Sequence, residues 1–236
     1  MRAGCSIQRS TIFCSSLLAL LALIGCGKST AKTAETPADA AQQPSADAPA
    51  TNTAAAAKPV PDLPKPIDPM VVLHTSQGDV TIKLFQEKAP RTVENFLRGY
   101  AERGFYEQTI FHHVEPGQMI IAGGYTADLQ RKPPRAPIYN ESKNGLLNRR
   151  GTIAMIRDAD APHSATSEFF INLADNPDFD FKATDEDDVP GYCVFGEVVQ
   201  GMDVIDRIAQ LPTASLGDFA KVPSPPVTIA RIERLQ

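Results

Sequence analysis

The sequence predicts a mainly β domain, a barrel capped by two helices, carried behind an exported and tethered N-terminus. Three observations lead there. Short apolar runs separated by turn residues fill the chain from about residue 68 to the end. Only two helical stripes occur in that stretch, near its opposite ends. The segment before it has almost no large side chains.

Residues 1–25 carry Arg2 and Arg9 and no acid, followed by the apolar run 17–24. A basic start before a short apolar stretch is the layout of a secretory signal. That run is too short to span a bilayer as a helix. It ends in Leu23-Ile24-Gly25-Cys26, which resembles a bacterial lipobox. The resemblance implies cleavage before Cys26, lipidation of Cys26 and anchoring by more than one acyl chain. The alternative is an ordinary signal with a coincidental cysteine. Gly27 in place of an aspartate favours the outer membrane. Removing 1–25 also removes Cys5 and Cys14, so only Cys26 and Cys193 remain. With Cys26 acylated no internal disulfide can form, and the domain must stand on its core.

Residues 27–66 hold 12 Ala and 7 Pro in 40 positions, with no apolar period. Such a stretch cannot bury enough surface to offset its ordering entropy. Residues 26–67 are therefore expected to be a disordered tether of roughly 35 Å r.m.s. span. It would hold a domain, 68–236, off a lipid surface.

Within the domain, Val71 and Leu73, then Val80, Ile82 and Leu84, alternate around Ser76-Gln77-Gly78-Asp79, a hairpin signal. Pro90 opens a stripe of Val93, Phe96, Leu97 and Tyr100 at helical spacing, and Gly104 closes it. Strand-like runs follow at 109–114, 119–122, 152–156, 168–173 and 192–198. A second helical stripe, Val204, Ile205, Ile208 and Leu211, starts after Gly201 and stops at Pro212. Residues 227–235 alternate again and form the last strand.

Composition narrows the function classes. Hydrophobic residues at 42% and charged residues at 22% exclude a collagen, a coiled coil and a wholly disordered chain. A net charge of -5 provides no basic field, so no nucleic-acid partner is expected.

Four stretches in register carry a family resemblance. They are Phe105-Tyr106 with 109–113, 117–119 and 122–124; 150–155; 161–172; and 191–198 with 201–204. Together they resemble cyclophilin-type peptidyl-prolyl isomerases over almost all of 70–236. The resemblance implies a closed eight-stranded antiparallel barrel with two helices over its ends and no cofactor, and a monomer is expected. It implies catalysis without nucleophile or metal. An apolar pocket holds a prolyl ring, and an arginine donates to the prolyl nitrogen as the amide twists.

Carried over residue by residue, the apolar wall falls on Met119, Phe170 and Phe179, with Tyr192 where relatives place His or Tyr. His112 matches the family's histidine. The polar apparatus departs: His113 stands at the arginine position, Gln118 at a pocket phenylalanine, Ile121 at a supporting glutamine and Glu168 at another glutamine. A free imidazole is mostly neutral at pH 7 and lacks arginine's charged fork. His113 is still expected to donate one N–H, more strongly if Glu168 raises its pKa. A slow isomerase of exported proteins follows. The alternatives are a lipoprotein that binds Pro segments without turnover, in a chaperone-like role, and a purely structural envelope lipoprotein.

Other features have bland readings. His112 and His113 are strand neighbours facing opposite ways and cannot jointly hold a metal, so no metal site is expected. His163 reads as structural or solvated, and Cys193 as a small buried hydrophobe. The acids Asp178, Asp180, Asp185, Glu186, Asp187 and Asp188 lack calcium-loop spacing and read as a solvated loop. Rimming the pocket, that loop would favour basic clients.

Overall fold

A computed structural model describes residues 68–184 and 188–235. The expected signal, Cys26 and the tether lie outside the described residues, as do Asp185, Glu186 and Asp187. No helix among the described residues is long and apolar enough to cross a membrane.

Strands β1 (Met70–Thr75) and β2 (Gly78–Leu84) form the first hairpin. Next come β3 (Thr109–Glu115), β4 (Met119–Thr126), β5 (Thr152–Met155), β6 (Phe169–Asn172), β7 (Val194–Gln200), β8 (Thr213–Leu216), β9 (Phe219–Pro223) and β10 (Thr228–Arg234). Eight of them close into an antiparallel barrel in the order β1-β10-β3-β4-β6-β5-β7-β2. The eight strand-like runs of the sequence are the eight barrel strands. The remaining two, β8 and β9, make a separate hairpin that no apolar alternation announces. It packs beside β3.

The first helix begins as α1 (Pro90–Glu94) and continues as a π-helical stretch over Asn95–Tyr100. Ala89 precedes it and has no side-chain oxygen to cap the free N–H groups. Glu141 supplies that cap from a distant loop. Its carboxylate accepts from Arg91 N at 3.2 Å, from Thr92 N at 2.8 Å and from the Thr92 hydroxyl at 2.8 Å. Phe96, Leu97 and Tyr100 are then all buried. Phe96 packs 5.2–5.7 Å, centroid to centroid, from Tyr106, Phe169 and Phe195, closing one end of the barrel. At α2 (Met202–Gln210), Val204, Ile205 and Ile208 are buried, and Arg207 donates to Gln77 O in the β1–β2 turn.

Two irregularities of β3 and β4 set up the outer face. Gly123 has φ +93°, and a Cβ there would lie 2.8 Å from Ser167 O and 2.9 Å from the Tyr106 ring, so only glycine fits. On β3, Phe111 pairs with Ala122 while His113 pairs with Ile121, leaving His112 as an extra residue. This is a β-bulge, and it reverses the facing that plain alternation would give. Phe111 and Val114 enter the core, whereas His113 is part-exposed, opposite Ile121.

Candidate active site

Cross-strand pairs place side chains on one face of a sheet. The registers of β3, β4, β6, β5 and β7 line up His113, Ile121, Phe170, Ala154 and Val194 as one row across the barrel's outside. Ala154, Phe170 and Val194 form a small buried cluster distinct from the main core. Packed against it are Met119, Ile121, Leu146, Ile156, Phe179 and Tyr192. The rings of Phe170, Phe179 and Tyr192 form a triangle with centroids 5.2–5.7 Å apart, each pair meeting edge to face. The result is an apolar groove with His113 beside Ile121 at one rim.

A chain of amides, buried at Asn148 and Asn172 and half-buried at Asn176, sets the loop that carries Phe179. Asn172, fully buried on β6, donates to the Thr152 hydroxyl at 2.8 Å and to Asn148 Oδ1 at 3.3 Å. Asn176 donates to Asn172 Oδ1 at 2.7 Å and to Gln118 O at 3.0 Å. Asp180 accepts from Asn148 N at 2.6 Å. Leu173 N also donates to Gln118 O at 2.9 Å, so the β3–β4 turn, β6 and the Phe179 loop are tied together.

The polar rim differs from expectation. Glu168 does not face His113. Its carboxylate lies 3.5 Å from Nε2 of His112 and 3.5 Å from Arg131. The acid beside His113 is Glu115, two residues along the same strand and paired with Met119. Glu115 Oε2 is 3.8 Å from His113 Nε2 and 2.5 Å from Lys221 Nζ of β9. Burial pushes the His113 imidazole below its ordinary value, Glu115 pulls the other way, and His112 and Lys221 lower it further. The condition of a lift from Glu168 is not met, and the net effect is a depression. The Lys221 hydrogen bond holds the Glu115 carboxyl low in turn.

The structure brings Met119, Ile121, Phe170, Phe179 and Tyr192 together, with His113 at their edge. His112 is set apart, because the bulge turns it into a buried site against the rings of Tyr125 and Phe219, at 4.8 and 5.5 Å. A buried ring there has no open face for a peptide. Gln118 sits half-buried in the turn, anchored through its carbonyl. His163 stacks on Tyr139 at 4.1 Å and accepts from Asn140 N, a structural role. Cys193 is buried, its thiol pushed up to about 11 by desolvation.

Several site residues escaped the sequence. Ala154, Leu146 and Val194 give the groove its floor, yet short apolar side chains in strands carry no sign of which face they line. Arg157 lies over the Tyr192 ring at 4.8 Å and is fixed by the carbonyls of Pro190 and Gly191. Glu115 was findable, since period two places it on the face of His113. Lys221 was not, because only the fold of β8–β9 brings it near.

The outer cluster presents apolar side chains, with the His113 imidazole next to Ile121 at its edge. Among the described residues, no three His, Cys, Asp or Glu side chains come together in an arrangement that could hold a metal.

Known proteins bear on this arrangement. Residues 70–234 match the family described as cyclophilin type peptidyl-prolyl cis-trans isomerase/CLD. Peptidyl-prolyl cis-trans isomerase B of Escherichia coli (strain K12) is 48% identical over 163 residues, covering 69% of this chain and 98% of that protein. A peptidyl-prolyl cis-trans isomerase of Acinetobacter baylyi is 46% identical over 164 residues, covering 70% and 84%. A crystal structure of a Cryptosporidium parvum cyclophilin type isomerase superposes with TM-score 0.58 at 23% identity, covering 72% of this chain and 98% of that one, a likeness of fold.

Proposed function

The chain belongs to the cyclophilin-type peptidyl-prolyl cis-trans isomerases, and from that premise we propose that it is a slow isomerase of exported proteins that works through His113. The observation that carries this is the row from His113 through Ile121 to Phe170, which puts the imidazole next to the outer apolar cluster of Phe170, Phe179 and Tyr192.

The reaction needs little chemistry. Amide resonance raises a rotation barrier of about 18–20 kcal/mol, and uncatalysed X–Pro isomerisation takes tens to hundreds of seconds. Twisting the bond breaks resonance and localises a lone pair on the prolyl nitrogen. A donor that meets this lone pair stabilises the twisted state more than either planar form, which lowers the barrier. Met119, Phe170 and Phe179 hold the ring by burying its apolar surface, while Tyr192 closes the wall. His113 donates to the nitrogen. Neutral imidazole does this with an ordinary N–H, and imidazolium with a charge-assisted one roughly twice as strong.

The speed follows from the rim. Replacing arginine's fixed charge with a neutral donor costs about 1–3 kcal/mol of transition-state stabilisation, roughly 10- to 100-fold in rate. Ile121 removes a further polar partner from the groove. The N-terminal signal and lipobox-like sequence support a place in the bacterial envelope, tethered through Cys26 with the outer membrane favoured. The clients are Pro-containing segments of exported or outer-membrane proteins.

Magnetisation exchange on a Pro-containing peptide, measured by NMR with the purified protein, tests this. Exchange above buffer that falls in His113→Ala supports the proposal. Exchange indistinguishable from buffer, and not raised by His113→Arg, defeats it.

A second reading rests on Ile121, an apolar side chain where a polar partner would help turnover. On that reading the protein binds Pro segments without turning them, and a peptide that binds with no gain in exchange would establish it.

A further inference from the structure

Lys221 reaches the rim from the β8–β9 hairpin, outside the barrel, and one carboxylate oxygen faces both it and His113. Glu115 Oε2 lies 2.5 Å from the ammonium and 3.8 Å from the imidazole nitrogen. The first distance is a strong charge-assisted contact, and the second is too long for a hydrogen bond. The carboxylate is therefore committed to lysine. We propose that Lys221 is a positioning residue that keeps Glu115 from pairing with His113, so that the isomerase is held low at neutral pH and is raised by acid. The proposal rests on His113 being the acting donor.

The other groups around the ring do not supply a competing partner. On β3, His113 is flanked by His112, whose own Nε2 faces Glu168, which in turn faces Arg131. On β4 it faces Ile121, which carries no charge. From β9 it feels Lys221. Glu115 is thus the one described carboxylate within 4 Å of its ring. If lysine were absent, that carboxylate would need to move less than 1 Å to hydrogen-bond Nε2. A carboxylate so placed favours the imidazolium form, whose other N–H is the one the proposed function uses as donor.

Lys221 is part-exposed, with 41% of its side chain accessible, so its replacement does not open the core. In Lys221→Met, the NMR titration midpoint of His113 is expected to move upward by about one pH unit. The acid limb of the exchange-rate profile should move with it, raising turnover at pH 7 by about three- to tenfold, with little change in KM. Lys221→Arg should behave as the parent, and Lys221→Met with Glu115→Gln should return both midpoints to or below the parent position. An unmoved His113 midpoint in Lys221→Met, with the melting temperature preserved, overturns the proposal. A midpoint that moves while the rate profile stays put instead overturns the role of His113 and leaves the Lys221–Glu115 control intact.

Discussion

His113 and Ile121 face each other across the β3–β4 ladder, on the outer face, because one extra residue in β3 turns His113 away from the core. The imidazole proposed as the donor therefore meets a hydrocarbon neighbour and a depressed tendency to ionise. Both weaken it relative to a fixed guanidinium.

Restoring the charge should restore speed. His113→Arg is expected to raise exchange by about 10- to 100-fold, and adding Ile121→Gln should raise it further by orienting the guanidinium. Protease-coupled assays on a Pro peptide measure both. Unchanged rates in both variants would show that the donor is elsewhere.

Turnover should rise as pH falls from 8 to 5. Burial disfavours imidazolium at His113, so the rise is expected to lie below the pH at which free imidazole titrates. Stability has the opposite sense. The unfolded chain takes up that proton more readily than the folded one, so the contribution of His113 is present above its unfolded pKa and is lost as pH falls through the folded one. His113→Asn should flatten both dependences, as read by exchange and by melting temperature.

Asn172→Ala should cost about 1–3 kcal/mol of stability, because the buried Asn148 and the half-buried Asn176 lose a partner each. It should also raise KM for peptide, since the Phe179 loop loses its tie to β6. A variant whose KM is unmoved while its midpoint in urea falls would confine the network to stability.

Cys193 should resist alkylation in the native state at pH 8 and react on unfolding. It is buried, and its thiol is pushed up to about 11, so little thiolate forms. Peptide mapping after iodoacetamide, with and without denaturant, measures this.

Much of the barrel was legible because its strands carry apolar side chains at period two and turn glycines between them, as in Val80, Ile82 and Leu84 ahead of the Pro90 helix. The groove was legible only through motif likeness. Met119, Phe170 and Phe179 are three apolar residues among many, and nothing local marks them as lining an outer cluster. The β8–β9 hairpin was invisible, since Thr213–Leu216 has mostly exposed side chains and no alternation. Glu168 was misjudged for a related reason: a carboxylate at a family position says nothing of which of two adjacent histidines it meets.

Chain order and side-chain size by themselves determined a β barrel with two capping helices, because burial periodicity is written locally, whereas its closure by eight strands and the histidine at the family's arginine position were legible only through the resemblance. Which way His113 points, which acid attends it and which lysine holds that acid were decided by the bulge at His112 and by a hairpin folded back from a hundred residues away. Pleat parity changes when a single residue is inserted into a ladder, and no window of sequence reveals that insertion until the partner strand is in place.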